Sequence, residues 1–282
     1  MPNERTTPLA GLNTRQLLWI IGVLVIFGLG AMLSEPDLFL TINQACSQLP
    51  DVLWVGLSLL GNGWVIAALL LPFVPRFPQL FFAALMTAPW TALVAKGAKA
   101  IFNTPRPPGV LEAGSFNIIG EVHLHSSMPS GHTITAFAVA VALIRMPGSP
   151  FARHSGKLLV IAALVGLSRI GMGVHWPEDV LIGTAVGGLT GLVSASLAHH
   201  LFPARWLALP ESGYADAHEQ GARAALIWSI IGLLPTIALF TFDEDRGLAP
   251  ELRYGLAVFA LFYSLKMLWA AKQRWNTGVN VN

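Results

Sequence analysis

The chain has 282 residues, 17 Lys and Arg against 15 Asp and Glu, and a formal net charge of +2; only 11% of its residues are charged, under half the roughly 25% of a soluble domain. Hydrophobic residues make up 54% and the mean hydropathy is +0.61, more apolar surface than one globule can hide under a wetted shell, which excludes a simple soluble enzyme. No basic stripe is present to bind nucleic acid, and the single cysteine, Cys46, without CxxC or Cys/His zinc spacing, excludes an internal disulfide and reads as apolar filler.

A bilayer core of about 30 Å needs about 20 mostly apolar residues per helix. Eight runs qualify. Residues 16–33 form the first, read as an uncleaved helix because it outruns a secretory h-region of about 7–15 residues, with cleavage near Gly30 as the alternative. Residues 52–60 with 62–74 form the second; Gly61, Asn62 and Gly63 interrupt it, which suggests a short interfacial helix feeding a spanning one. The remaining runs are 78–102, 132–146, 157–173, 179–202, 224–241 and 252–271. The polar stretch 203–223 reads as a cytoplasmic connection. The whole chain, 1–282, is then one all-α membrane domain: a polytopic bundle with a core at 16–202 and two further helices in 224–282.

Positive loops are retained in the cytoplasm. With the N-terminus inside, eleven of the 17 Lys and Arg fall on the cytoplasmic side, and Lys96, Lys99, Arg106, Arg169, Arg246 and Arg253 fall on the other. That topology sends three polar clusters to one outer face. They are Lys99 to Arg106-Pro107, Pro129-Ser130-Gly131-His132, and Ser168-Arg169 followed by His175 and Asp179.

Each cluster has a physical use. Ser130 stands where a helix N-cap is wanted and Gly131 lets backbone approach a ligand, so free N–H groups and the positive dipole end there favour an anion. Lys99, Arg106 and Arg169 add three cations, and an Arg fork matches phosphate oxygens. Crowded near lipid, three cations call for a polyanion between them, and phosphate fits. Pro177 suits the first turn of a helix, which puts Asp179 one turn from His175, able to accept the Nδ1–H and leave Nε2 as an in-line nucleophile at phosphorus. His132 is placed as the acid toward the leaving group and then the base toward water.

These three clusters, in order and without a substitution, resemble the signature of the type 2 phosphatidic acid phosphatase (PAP2) superfamily: Lys, six residues, Arg-Pro; Pro-Ser-Gly-His; Ser-Arg, five residues, His, three residues, Asp. The resemblance implies a six-helix core, metal-independent hydrolysis of a phosphoester or diphosphate with no cofactor, His175 as nucleophile, Asp179 as its partner and His132 as acid. It also implies phosphate binding by Lys99, Arg106, Ser130, Gly131 and Arg169. The substrate classes implied are isoprenyl diphosphates such as undecaprenyl diphosphate, lipid A, phosphatidic acid and phosphatidylglycerol phosphate, taken from the bilayer at the outer or periplasmic face of the inner membrane. A phosphotransferase using the same phosphohistidine is one alternative, and a non-catalytic lipid transporter or scaffold another. A homodimer is left open.

Other polar residues read more plainly. His123 and His125 with His132 lack the carboxylates of a divalent-ion site and stand among cations. Lys96, one turn before Lys99, is a snorkelling lysine or a contact for a second phosphate, and Glu112, Glu121, His123 and His125 lie where a head group could pass. Ser168 is expected to bond a carbonyl of its own helix. Residues 243–245 form an acidic loop, and Trp54, Trp64, Trp206 and Trp275 are expected in an interfacial aromatic belt.

Overall fold

The computed structural model describes Gly22 and residues 36–202, 215–241 and 250–279. The expected first helix, 16–33, lies outside them apart from Gly22, as do the acidic run and Trp206. Every regular element among the described residues is helical: α1 (Asp37–Cys46), α2 (Asp51–Leu59), α3 (Gly63–Leu70), α4 (Pro78–Phe102), α5 (Gly131–Arg145), α6 (Ser155–Gly171), α7 (Pro177–Leu201), α8 (Ala215–Thr241) and α9 (Pro250–Val279).

Prolines start several of these helices. Pro78 and Pro177 occupy first turns, where a missing N–H costs nothing. Among the described residues, five helices are long and apolar enough to cross a membrane, α4 and α6 to α9. The pair α2 and α3, bent by 72° around the predicted interruption, is long and apolar enough only when taken together, as a broken span or a re-entrant loop. There Asn62 caps α3, its side-chain oxygen accepting the N–H of Trp64 at 2.9 Å and of Val65 at 3.4 Å. At 15 residues, α5 is about 22 Å long and short of the hydrocarbon thickness.

α5 occupies the middle of the bundle, packed against α4, α6 and α7. Its contact with α7 depends on small residues. A Cβ on Gly183 would stand 3.1 Å from the Ser130 carbonyl oxygen, on Gly187 2.6 Å from that of Ile134, and on Gly191 2.4 Å from that of Ala138. This i, i+4 series lets two backbones touch, the means by which helices associate where lipid is as apolar as leucine. α8 runs along α9 and both rest on α3, with Trp228 edge-on to Phe81 at 5.5 Å and to Phe82 at 5.3 Å.

Two expectations need correction, and one helix was not expected. α8 begins at Ala215, within the stretch read as a cytoplasmic connection, because Ala, Glu and Gln there form helix readily despite their polarity. Trp54 does not lie in an interfacial belt: it is buried at 3% exposure and donates its indole N–H to the Cys46 carbonyl at 3.0 Å. Helix α1 had no counterpart in the hydropathy pattern. It buries Phe39, Asn43 and Cys46 on one face, and Asn43 donates to the carbonyls of Asn117, Ile170 and Gly171 at 3.0–3.1 Å while accepting the Asn117 N–H at 2.8 Å.

Candidate active site

The C-terminal end of α4, the N-terminal end of α5 and the α6–α7 junction meet at one end of the bundle, and hydrogen bonds tie the three motif clusters to one another. Ser130 N–H donates to the Asp179 carbonyl at 3.1 Å. The Arg106 guanidinium donates from Nε to the His125 carbonyl at 3.1 Å and from Nη1 to the Val174 carbonyl at 3.2 Å. Trp176 donates its indole N–H to the Pro105 carbonyl at 2.9 Å.

His175 occupies the short link between α6 and α7, 2% exposed, and Asp179 the first turn of α7, fully buried. Nδ1 of the imidazole lies 3.1 Å from Asp179 Oδ2. That oxygen also accepts the Trp176 N–H at 2.8 Å and the Ser127 hydroxyl at 2.5 Å, so the carboxylate is held from three sides and its charge stays in place at the helix start. Burial pushes the His175 imidazole down to about 3, against the opposing pull of the Asp179 hydrogen bond and charge. The ring is therefore neutral at physiological pH, with Nδ1 toward Asp179 and Nε2 left for a ligand.

Around this pair stand the cations. Arg106 and Arg169 are buried at 9% and 8% exposure, and both act electrostatically on His175 and on Lys99. His132, on the first turn of α5, is within electrostatic reach of Arg169, His175, Lys99 and Arg106. All five residues thus share one site. Ser130 occupies the N-cap position of α5, but its hydroxyl accepts from Thr133 Oγ1 at 2.9 Å instead of capping a backbone N–H. A Cβ on Gly131 would meet nothing within 4 Å among the described residues, so ligand atoms have room before the helix N-terminus.

Several residues outside the motifs shape the site. Ser127 bonds Asp179, and Thr104 fixes the segment leading to Ser130 by accepting the Ser127 N–H on its carbonyl and the Met128 N–H on its hydroxyl, both at 3.0 Å. Only the short distance of Ser127 from the Pro-Ser-Gly-His cluster hinted at it. Ser168 bonds the Val165 carbonyl of its own helix at 2.7 Å. His123 is exposed near Glu121, His125 meets Arg106 through its backbone, and Lys96 is exposed. No three His, Cys, Asp or Glu side chains come together among the described residues in a way that could hold a metal ion.

Residues 78–203 match the family model of the PAP2 superfamily. The chain is 30% identical, over 58% of its length, to the decaprenylphosphoryl-5-phosphoribose phosphatase of Mycobacterium tuberculosis, of which it covers 90%. This chain belongs to the PAP2 superfamily. Among PAP2 proteins it is also 32% identical, over 48% of its length, to the lipid A 1-phosphatase of Rhizobium etli. It spans 60% or less of the lipid A 1-phosphatases it matches. The crystal structure of a transmembrane PAP2-type phosphatidylglycerolphosphate phosphatase from Bacillus subtilis shares the fold, with 20% identity and a TM-score of 0.51 over 66% of this chain and 98% of that one. With its apolar helices, the PAP2 chain is a multi-pass membrane protein.

Proposed function

We propose that the chain is a lipid phosphate phosphatase that removes a phosphate from a membrane-anchored phosphomonoester or diphosphate through a phosphohistidine. The observation that carries this reading is the buried, neutral His175 bonded to Asp179 beside Arg106, Arg169 and Lys99. The cations and the α5 N-terminus hold the equatorial oxygens, where charge develops. His175 Nε2 attacks phosphorus, an N–P bond forms as the P–O bond to the lipid breaks, and Asp179 holds the imidazolium. His132 gives a proton to the leaving oxygen; an incoming dianion supplies the negative charge that lets an imidazole beside three cations hold that proton. His132 then takes a proton from water as that water attacks the phosphohistidine, releasing phosphate and restoring neutral His175.

A lipid-borne substrate is supported by an apolar cavity of about 370 Å³ between α3, α4 and α5, lined by Trp64, Ala67, Ala84, Leu85, Thr91 and Thr135 among others. Thr135 is one turn from His132, and Leu85 is 46% exposed, so the cavity is placed to take a hydrocarbon tail whose phosphate lies at the site. Of the relatives named above, the two at 30% identity or more are a decaprenyl-linked phosphatase and a lipid A 1-phosphatase, while the phosphatidylglycerolphosphate phosphatase matches at 20% and shares the fold; on that ground we rank a lipid A or isoprenyl substrate first. We place the site on the outer face of the inner membrane and the N-terminus in the cytoplasm, from the Lys and Arg bias. In this reading the chain, 1–282, is a single membrane domain.

The test is phosphate release from a lipid panel containing lipid A, undecaprenyl diphosphate, phosphatidic acid and phosphatidylglycerol phosphate, with chelator present. Activity that survives chelation and is abolished in His175→Ala is the expected result. Release that requires added Mg²⁺, or that persists in His175→Ala, overturns the mechanism.

A further inference from the structure

The three motif clusters account for one side of the site, and a fourth stretch of chain closes another. Ser58, in the last turn of α2, is 1% exposed, and the Arg169 guanidinium donates a short hydrogen bond from Nη1 to its hydroxyl across 111 residues of sequence. The chain then turns: Gly61 N–H donates to the Ser58 carbonyl at 2.8 Å, and α3 leaves at 72° to α2. At the bend, a Cβ on Gly61 would stand 2.8 Å from His132 Cβ and 2.9 Å from Val165 Cγ1. One turn of chain therefore touches both the Arg169 guanidinium and the side chain of His132.

We propose that the α2–α3 bend is the fourth wall of the phosphate site and that Ser58 is a positioning residue for Arg169. A guanidinium selects phosphate by its plane, since its donors form a rigid fork, and a long side chain holds that plane only when something other than the ligand fixes it. The Ser58 hydroxyl and, at 3.8 Å, the Met172 sulfur both take Nη1 of the fork, which fixes the plane of the guanidinium from the protein side. Gly61 supplies the complementary condition, because only a residue without a side chain lets the bend come this close to His132. The inference rests on the phosphatase reading and adds to it a residue that never touches the substrate.

The experiment uses the full chain in detergent, as wild type, Ser58→Ala and Ser58→Thr. Three quantities are read: KM and kcat for phosphate release from a lipid phosphate, the vanadate concentration for half-inhibition, and the rise in melting temperature caused by vanadate. Loss of a hydrogen bond to a charged group corresponds to roughly ten- to a hundredfold. Ser58→Ala is expected to raise KM and the half-inhibiting vanadate concentration by that range, with kcat less affected, and Ser58→Thr to restore both. Half-inhibition in Ser58→Ala within twofold of wild type, or an equal loss in Ser58→Thr, overturns the proposal. A wild type that releases no phosphate overturns the phosphatase reading instead, and the vanadate-induced melting shift of wild type against Ser58→Ala then decides the role of Ser58. Should Ser58→Ala fail to fold, Ser58→Cys, of the same shape with a weak acceptor, is judged by the same readouts.

Discussion

Asp179 Oδ2 receives His175 Nδ1 at 3.1 Å and the backbone N–H of Trp176 at 2.8 Å, so one oxygen both orients the imidazole and closes the first turn of α7. Its companion, Oδ1, is buried without a hydrogen-bond partner among the described residues. Replacing Asp179 by Asn keeps the shape but removes the charge and can present an N–H where His175 needs an acceptor, which favours the wrong tautomer. Asp179→Asn is expected to lower kcat by about 10³- to 10⁴-fold while leaving vanadate affinity within a few-fold. Steady-state kinetics with vanadate competition separates the two effects. A loss confined to vanadate affinity, with kcat preserved, would instead make Asp179 part of the phosphate cradle.

Arg106 does more than carry charge. Its Nε and Nη1 hold the His125 and Val174 carbonyls, joining the loop before α5 to the residue before His175. A lysine has one ammonium at the end of a flexible stem and cannot span both carbonyls while facing a phosphate. Arg106→Lys is expected to cost roughly ten- to a hundredfold in kcat/KM and to lower the melting temperature as well. Arg106→Lys with wild-type kcat/KM would reduce Arg106 to a point charge.

The neutral state of His175 has a pH consequence with a definite sign. Its folded-state value, about 3, is below the roughly 6.5 of an unfolded histidine, so between these limits the unfolded chain binds the extra proton. The stability contributed by burying this neutral ring is complete above about pH 6.5 and is lost progressively as pH falls toward 3. Melting temperatures measured from pH 7 to pH 4 are expected to fall more steeply for wild type than for His175→Gln, which has no proton to gain at that position. Parallel slopes would show that His175 is protonated alike in both states.

The meeting of the three motif clusters was legible because their spacings set them at the ends of apolar runs on one face, and one helical turn separates His175 from Asp179 in the chain as in space. The spanning helices were legible because the bilayer demands long apolar runs: the run 78–102 coincides with α4. Long-range partnerships left no such trace. Asn43 sits in the middle of the buried face of α1 and is satisfied by carbonyls 74 and 127–128 residues away, so its polarity broke the apolar pattern that would have revealed the helix. Ser58 and Trp54 were hidden likewise. Each reads locally as membrane filler or an interfacial residue, and only tertiary packing gives it a partner.

The glycine series of α7 makes a prediction of opposite signs. Gly191 faces α5 with its backbone so near that a methyl group would fall 2.4 Å from the Ala138 carbonyl oxygen and 2.8 Å from Val141 Cβ; the first of these is backbone and cannot rotate away. Gly191→Ala must push α7 from α5, and because α7 carries Asp179 at its start, that displacement reaches the site. The expected cost is about 1–3 kcal/mol, seen as a lower melting temperature and a reduced kcat. Gly156, in the first turn of α6, has open space around it among the described residues. There alanine only restricts the unfolded chain and favours the helix, so Gly156→Ala is expected to raise stability by about 0.4–1 kcal/mol with activity unchanged. Thermal denaturation of the two variants in the same detergent decides the matter, and a Gly191→Ala protein as stable as Gly156→Ala would refute close backbone contact between α5 and α7.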